Sequence, residues 1–441
     1  MNQLIADKQW IQYHYPLLMN SLFYLSHNKT VSYPQLYSDR QLVFENITDY
    51  YSSKVDIKSF QRNPKRIAIV AGQMLSPNHA PTMLTLNYLK SFIAYAPEYE
   101  VKVFTEDHFH YSTNEVAFPS CYSSAVSRTC KPLHAEFLNM EPNIYYSDVS
   151  KEREFRIQED INTVVDFQPD LLLVIGSDYS FIAAYLGKML PIINYTVGGA
   201  ANPSNADVYI GGYEKEVILK EYSQYAIDNV NYHKHMMGLS FPKPVQALSR
   251  IDYKLSQTDY VMVTVGNRLD AEMSESFIDL ICKFINNTPN VKWLLVGSAK
   301  HKYIHNKYNT LINNNQIIMM DYISDLPALY NICNIYINPF RQAGGFSGYM
   351  AMNQSLPIVT LYNKSDIGAV VGANFACKDI ETYEQELHRL YTDNAYFNIV
   401  STEMKRRVTQ NYHFKNSIED LLRIFTLARN AFDNRNSMVG Q

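Results

Sequence analysis

Residues 336–362 read YINPFRQAGGFSGYMAMNQSLPIVTLY, and this stretch decides the fold class. The pattern predicts, in order, a strand over Ile335–Ile337, a turn at Asn338-Pro339, a glycine-rich loop over Gly344–Gly348, a short helix over Tyr349–Gln354 and a second strand over Pro357–Leu361. This order is typical of a phosphate-binding turn in a parallel sheet, because glycine lets the backbone approach a ligand and the first helical turn presents free N–H groups. A tight turn that binds nothing is the alternative.

Composition predicts a globular protein of two or three domains, since the 441 residues are 46% hydrophobic and 19% charged. The formal net charge is -4 and no basic run occurs, so we expect no nucleic-acid partner. Five scattered cysteines without metal-ligand spacing predict free thiols in a reducing cytoplasm. We expect no signal peptide, because MNQLIADKQW has no basic start followed by an apolar run, and no membrane span, because no apolar stretch approaches roughly 20 residues.

The first half of the chain alternates between predicted strands and helices. Apolar residues at helical spacing predict an N-terminal helical appendage over 1–62. Apolar strands are predicted over Ile67–Ala71, Val101–Thr105, Leu171–Ile175, Ile192–Tyr195 and 207–211, with helices between them. This alternation predicts a first doubly wound domain over 63–245.

The second half repeats the alternation. Strands are predicted over Tyr260–Val265, Val291–Val296 and Ile317–Met320, ahead of the opening stretch. They predict a second doubly wound domain over 246–405, with C-terminal helices over 406–441. The fold class is therefore α/β, with two facing Rossmann-like domains.

Four strand ends of the second domain meet at one sheet edge. They carry Arg268, Lys300, the backbone around Tyr322 and Ile323, and the residues Gly344, Gly345, Phe346 and Ser347. Arg268 offers a planar fork that suits phosphate oxygens, and Lys300 offers a point charge. A surface salt bridge is the alternative for one isolated arginine. The glycine stretch and Lys300 at corresponding strand ends favour a diphosphate and base site.

In the first domain, the loop Ser76–Pro81 is expected to face the cleft between the domains. His79 lies just ahead of a helix and can take a proton from an acceptor, since an ordinary histidine pKa lies near neutral pH. A histidine that only hydrogen-bonds neighbouring backbone is the alternative. Asp178 and Tyr179 are further candidates for acceptor contact at the same edge. No metal site is predicted, because the remaining histidines have no obvious partners.

These elements and strand ends resemble a GT-B glycosyltransferase. More narrowly, they resemble the protein O-GlcNAc transferase group and the related bacterial adhesin glycosyltransferases that act on proteins in the cytoplasm. Four segments carry the resemblance: RIAIVAGQMLSPNHAPTMLTLNYLKSF, GNRLDAEMSESF, PNVKWLLVGSAK and AGGFSGYMAMNQSLPIVTL, which begin at Arg66, Gly266, Pro289 and Ala343.

The resemblance implies a metal-independent transfer of a hexose or N-acetylhexosamine from a nucleoside diphosphate sugar, UDP-linked, to a protein side chain. It implies no cofactor apart from this donor substrate. His79 falls on the loop histidine near the acceptor, where it would act as the base and give inversion. Lys300 falls near the family's diphosphate-contacting lysine. Gly345, Phe346 and Ser347 fall on the loop that wraps the β-phosphate.

Three departures separate this chain from the family pattern. Met350 stands where the family has an acidic residue that binds the donor ribose or sugar. Met273 stands where a second cation is common. Gly345 and Phe346 replace a histidine and a threonine. The departures imply that the donor is held differently, that it binds weakly, or that activity has been lost.

Three rival functions therefore stay open. The first is transfer to a glycan or cell-surface polymer instead of a protein. The second is a catalytically silent scaffold that binds a partner protein or an exported adhesin, which Met350 and Met273 favour. The third is a nucleotide-sugar epimerase, which is disfavoured because no carboxylate-rich cleft motif is visible.

Overall fold

The structure is a computed structural model that describes residues 15, 18–19, 33–72, 74–77, 79–107, 129–176, 179–195, 206–223, 230–297, 301–341, 344–362 and 365–439. Its contacts divide the chain into two units. The first unit comprises Met1–Leu239 and His413–Gln441, and the second comprises Ser240–Tyr412. The closing segment, which the sequence placed in a region of its own, thus belongs with the first unit.

Twelve strands lie within the described residues. They are β1 (Arg66–Ala71), β2 (Glu100–Thr105), β3 (Ile144–Tyr145), β4 (Leu171–Ile175), β5 (Ile192–Tyr195), β6 (Val208–Gly211), β7 (Tyr232–Lys234), β8 (Tyr260–Gly266), β9 (Val291–Gly297), β10 (Ile317–Met320), β11 (Ile335–Ile337) and β12 (Ile358–Val359).

Sixteen α-helices accompany them in the same part of the chain. They are α1 (Tyr33–Ser52), α2 (Ala80–Tyr95), α3 (Lys131–Leu138), α4 (Arg153–Phe167), α5 (Phe181–Leu186), α6 (Lys215–Ser223), α7 (Leu269–Glu272), α8 (Glu275–Asn286), α9 (Lys302–Lys307), α10 (Asn309–Asn313), α11 (Leu326–Tyr330), α12 (Gly345–Asn353), α13 (Asp366–Val371), α14 (Ile380–Thr392), α15 (Asn394–Asn411) and α16 (Phe414–Val439).

Each unit is built on one parallel sheet. The first sheet has the order β3-β2-β1-β4-β5-β6-β7, and the second has the order β10-β9-β8-β11-β12. The central strands are apolar along their length because both faces of each sheet are covered, as in β4, which is buried throughout. Both orders run outward from the first strand in opposite directions, which is the doubly wound arrangement that the sequence predicts.

Helix α1 belongs to the core of the first unit. Val43, Ile47 and Tyr51 recur at four-residue spacing, so they lie on one face of the helix, and they are buried in the same cluster as Phe181. The Phe44 ring also contacts the Phe181 ring, with 5.4 Å between centroids. The described part of the predicted appendage therefore packs on the sheet.

Helix α16 packs on α2, β5 and β6 of the first unit. Phe425 stacks on Phe92 of α2, with 6.1 Å between the ring centroids. Arg429 donates from Nε to the Asp170 carboxylate at 2.6 Å, next to the start of β4. An apolar stack and a mostly buried ion pair thus hold α16 against α2 and the first sheet.

The structure corrects the predicted glycine loop. Helix α12 begins at Gly345, so the residues predicted as loop through Gly348 form its first turn. Gly344 alone takes the left-handed turn before the helix, with a φ of 100°. Gly348 faces Ile367, and a Cβ at that position would lie 2.6 Å from the Ile367 Cγ1. Glycine is thus needed once for a turn and once for close packing.

Other boundaries differ by shorter distances. The sequence predicts one helix over 302–313, but the structure has two, because Tyr308 leaves helical geometry between α9 and α10. The sequence also predicts a helix from Phe181 to Leu190, but the observed helix ends at Leu186. The last predicted strand of the second sheet is shorter and covers Ile358–Val359.

Candidate functional site

The strand order of each sheet reverses between two neighbouring strands, β1 and β4 in the first sheet and β8 and β11 in the second. Ligands of doubly wound sheets bind outside the carboxyl ends of strands at such points. In the second unit this edge comprises the residues after β8 and β11, with the ends of β9 and β10 beside them. In the first unit it comprises the residues after β1 and β4.

A buried arginine connects the two strand ends of the second unit. Arg341 is 7% exposed. It donates to the Glu272 carboxylate at 2.5 Å, to the carbonyl oxygen of Val265 at 2.8 Å and to the Asn338 side-chain oxygen at 3.1 Å. The guanidinium thus fixes the end of β8, the end of α7 and the turn after β11 with its fork of donors.

The start of α12 is fixed by two tyrosines. The Tyr336 hydroxyl lies 2.9 Å from the Ser347 Oγ, and the Tyr330 hydroxyl donates to the Ser347 carbonyl oxygen at 3.0 Å. Ser347 also donates to the carbonyl oxygen of Gly344 at 3.1 Å. The first helical N–H groups, those of Gly345, Phe346 and Ser347, have no carbonyl acceptor within the helix and point outward along its axis. They form a fixed group of donors for an anion.

Arg268 lies at the other side of the same edge. It is the residue before α7 and its side chain is 63% exposed. Its guanidinium pairs with Glu272 at 2.9 Å, on the carboxylate oxygen that Arg341 leaves open. Two arginines therefore share one carboxylate, and these three side chains carry one net positive charge that an anion can neutralise.

The remaining predicted donor residues are placed as follows. Tyr322 is 61% exposed and Ile323 is half-buried in the segment after β10. An exposed tyrosine can stack on a nucleobase. Lys300, predicted at the end of β9, lies outside the described residues, and so does Asp178 of the first unit.

The two methionines that replace expected polar residues are core side chains. Met350 on α12 and Met273 after α7 are both buried. A buried thioether packs well but offers only a weak acceptor. The family pattern predicts an acidic residue at position 350 and a cation at position 273. Neither methionine can make the corresponding polar contact.

In the first unit, the segment after β1 is held from two sides. The Thr82 hydroxyl accepts from the backbone N–H of Leu75 at 2.8 Å, and His134 Nε2 lies 2.6 Å from the Leu75 carbonyl oxygen. His79 precedes α2, and its Nδ1 lies 3.0 Å from the same Thr82 hydroxyl. When Nδ1–H donates to Thr82, Nε2 keeps a lone pair and can accept a proton.

Burial lowers the pKa of His79 to about 4. The imidazole is therefore neutral at physiological pH, as a general base must be, although its affinity for a proton is low.

Tyr179 is buried and contacts α1. Its ring lies 5.2 Å from the Phe44 ring, and the Arg40 guanidinium lies over it at 4.8 Å. Tyr179, predicted as an acceptor-side residue, therefore packs against α1 in the structure.

Sequence reasoning missed Arg341 and Glu272. Arg341 lies in the quoted stretch, three residues before Gly344, but nothing in its neighbours shows that the guanidinium turns inward. Glu272 lies one residue before Met273, in the segment singled out for its arginine. The usable signal was the pair of opposite charges at two strand ends that the topology brings together.

The described residues offer neither a metal site nor a membrane-spanning helix. No group of three or more His, Cys, Asp or Glu side chains there is arranged to hold a metal ion. None of the helices in the same residues has the length and apolar character required to cross a membrane.

The histidine next to α2 predicts a measurable acid sensitivity. The pKa of His79 falls from about 6.5 in the unfolded chain to about 4 in the folded chain, so only the unfolded chain binds the proton between these values. Stability is lost as the pH falls below 6.5, at about 1.4 kcal/mol for each unit, or about 2 kcal/mol at pH 5. We expect His79→Gln to lose less melting temperature than the wild type between pH 7 and pH 5.

The exposed His305 supplies the control. His305→Gln should follow the wild-type curve, and both should keep the contribution of His134, whose pKa burial also lowers. Parallel pH curves for His79→Gln and the wild type would contradict the prediction.

Comparison with known proteins matches one part of the chain to a family model. Residues 259–393, the greater part of the second unit, match the family model described as Glycosyl transferases group 1. No curated protein matches the sequence.

Solved structures match over both units. An O-GlcNAc transferase of Thermobaculum terrenum, in mutant form, has a TM-score of 0.61 at 12% identity, covering 96% of this chain and 83% of that one. A glycosyltransferase from Rickettsia africae has a TM-score of 0.56 at 13% identity, with 83% and 99% covered. MnaA of S. aureus, solved with UDP, has a TM-score of 0.50 at 11% identity, with 82% and 97% covered. At sequence identities this low, the three comparisons show a shared fold and nothing beyond it.

Proposed function

We propose that this protein, a glycosyltransferase with the predicted GT-B fold, moves a hexose or N-acetylhexosamine from a UDP-linked sugar to a protein side chain. The observation that carries the proposal is the pairing, at one sheet edge, of a pre-formed anion-binding helix start with two arginines that share one carboxylate. A nucleoside diphosphate presents the matching chemistry, with a base at one end and two charged phosphates at the other.

The leaving diphosphate is where the second unit acts. As the bond to the anomeric carbon breaks, negative charge grows on the β-phosphate. The N–H groups of Gly345, Phe346 and Ser347 and the exposed guanidinium of Arg268 stabilise that charge, and they are already oriented before the reaction. Arg341 is a positioning residue, because its own donors are taken by protein groups. Arg268 and Lys300 supply positive charge, so the proposed transfer needs no metal.

The acceptor side belongs to the first unit. His79 takes the proton from the acceptor hydroxyl or amide. At the same time, the oxygen or nitrogen of the acceptor attacks the anomeric carbon on the side opposite the diphosphate. Attack from that side inverts the configuration. The hydrogen bond between Thr82 and His79 Nδ1 keeps Nε2 as the basic atom.

Two proteins of the same fold support the choice of donor. One structure with the same fold is named an O-GlcNAc transferase, and another was solved with UDP. They favour a UDP-linked N-acetylhexosamine here. A protein acceptor, an adhesin included, and a cytoplasmic location belong to the same proposal, and a glycan acceptor is its nearest rival.

A second function, a catalytically silent scaffold that binds a partner protein, is favoured by one observation. Met350 is buried where a carboxylate would otherwise reach the donor, and Met273 is buried where a cation would. A chain that lost its donor contacts would keep the Arg341 network, because its hydrogen bonds are all to protein groups.

Melting temperatures with UDP, GDP, TDP, CMP and their sugars test the two functions. We expect one uridine nucleotide to stabilise the protein by about 2.7 kcal/mol at a hundred times its dissociation constant. Arg268→Ala should remove most of that shift. Arg406→Ala is the matched control, since Arg406 is a half-exposed arginine of the same unit that pairs with Glu403, and it should keep the shift.

The same panel separates the outcomes. A shift with UDP that survives in Arg268→Ala would remove Arg268 from the donor site. No shift with any nucleotide would favour the scaffold. With a transferable donor in hand, His79→Ala should lose transfer and keep the nucleotide shift, and unchanged transfer would remove His79 as the base.

A further inference from the structure

His301 is the first described residue after the end of β9, and it precedes α9. Its side chain is 8% exposed. Neither ring nitrogen has a hydrogen-bond partner among the described residues. Its backbone carbonyl oxygen accepts from the His305 N–H at 3.2 Å, so its main chain is used while its imidazole is not.

Other buried histidines of this chain show what a structural role looks like. His134 uses both ring nitrogens, at 2.8 Å from the Tyr146 hydroxyl and 2.6 Å from the Leu75 carbonyl oxygen. His235 places its Nδ1 2.7 Å from the Asp420 carboxylate. Each is held by a protein partner.

Burying a polar group without a partner lowers stability, and such groups in native proteins call for an explanation. A leucine would fill the same space as His301 without that cost. The retained imidazole is explained if a ligand completes its hydrogen bonds.

The strand order indicates which part of a ligand lies there. β9 lies between β10 and β8, and β11 follows β8. The proposed base-binding segment follows β10, and the proposed phosphate-binding turn follows β11. In a nucleotide, the group that joins the base to the phosphates is the ribose.

The second unit also lacks a ribose contact at the position that the family pattern predicts. Met350 is buried there, and its side chain offers no strong hydrogen-bonding group. A neutral imidazole has one donor and one acceptor, and a ribose hydroxyl can take either role.

We propose that His301 is a donor-binding residue whose ring nitrogen hydrogen-bonds a ribose hydroxyl of the nucleotide. The proposal rests on the nucleotide-sugar function proposed above. It makes His301 the residue that replaces the missing carboxylate and holds the ribose between the base and the diphosphate.

Calorimetric titration with UDP, 2′-deoxy-UDP and 3′-deoxy-UDP tests this. A single hydrogen bond predicts that the wild type binds one deoxy nucleotide about tenfold more weakly than UDP. His301→Leu should bind UDP about tenfold more weakly than the wild type and should no longer distinguish that deoxy nucleotide from UDP. His305→Leu changes an exposed histidine of α9, the helix that His301 precedes, and should behave as the wild type.

The ligand-free proteins give a second readout. His301→Leu should melt at the wild-type temperature or above it, because an unpaired polar group has been removed from the interior. His134→Leu should melt lower, because it leaves the Leu75 carbonyl oxygen and the Tyr146 hydroxyl without their partner. A His301→Leu protein that melts lower or fails to fold would assign His301 a structural role and overturn the proposal.

The nucleotide data decide the rest, with His301→Gln as a second variant for the same titrations. The ratio of the affinity for UDP to the affinity for each deoxy nucleotide is the deciding quantity. If this ratio is the same in the wild type and in both His301 variants, the ribose contact is overturned and the donor site remains. A wild-type protein that binds no nucleotide would overturn the proposed function as well.

Discussion

Arg341→Met is expected to lower the free energy of unfolding of the second unit by about 3 kcal/mol. The methionine fills part of the space, but it leaves the Val265 carbonyl oxygen and the Asn338 side-chain oxygen without the donors that now lie at 2.8 and 3.1 Å. It also leaves the mostly buried Glu272 with only the exposed Arg268 as a partner. Donor binding should be lost with it, because the turn before Gly344 is no longer fixed.

Urea unfolding gives the measurement, with Arg406→Met as the control. Arg406 is a half-exposed partner of Glu403 in the same unit, and its loss should cost about 1 kcal/mol or less. The double variant Arg341→Met with Glu272→Gln should recover part of the loss, since the stranded carboxylate is gone. A single variant as stable as the control would show that the network does not support the site.

Gly297→Ala is expected to lower the free energy of unfolding of the second unit by at least about 3 kcal/mol. Gly297 ends β9 with a φ of 117°, a conformation that side chains rarely adopt. It lies opposite Gly266 at the end of β8. A Cβ at Gly297 would lie 2.8 Å from the Gly266 carbonyl carbon and closer still to its oxygen. Both are backbone atoms, so the strand ends themselves would have to separate.

Gly212→Ala is the matched control, since nothing lies within 4 Å of a Cβ built there. It follows β6, at the end of a strand as Gly297 does, and its substitution should change stability by no more than about 0.5 kcal/mol or raise it slightly. Comparison of both variants by urea unfolding and by the UDP-induced shift checks the prediction. A Gly297→Ala protein that keeps wild-type stability and donor binding would refute the close approach of the two strand ends.

Strands were the predictable part of the fold. Runs such as LLLVI at Leu171 and YVMVTV at Tyr260 are apolar at every position or nearly so, and only a strand covered on both faces explains that pattern in so few residues. The order of the sheets then followed from the alternation with helices. The start of α12 was misplaced because three glycines and a serine within residues 344–348 lower helix propensity, whereas tertiary contacts from Tyr330 and Tyr336 hold the first turn.

The sequence identified the site residues that stand directly after predicted strands, and it missed those whose role depends on contacts between distant residues. Arg268 and the glycine stretch stand at strand ends, and the topology alone brings them together. The burial of Arg341 depends on Glu272, 69 positions earlier, and no local pattern marks that pair. The ring of His301 has no hydrogen-bond partner among the described residues, and this property depends on neighbours in space that the sequence does not identify.

The return of α16 to the sheet of the first unit has a consequence for how the protein is made. The second unit is one uninterrupted segment, whereas the first unit is completed by residues that lie after it in the chain. On the ribosome, the second unit can therefore close on itself while α2, β5 and β6 still lack the helix that packs on them. The apolar surface that Phe425 covers stays open until α16 has been synthesised. A chain that stops before α16 should fold its second unit and leave the first unit as a target for chaperones and proteases.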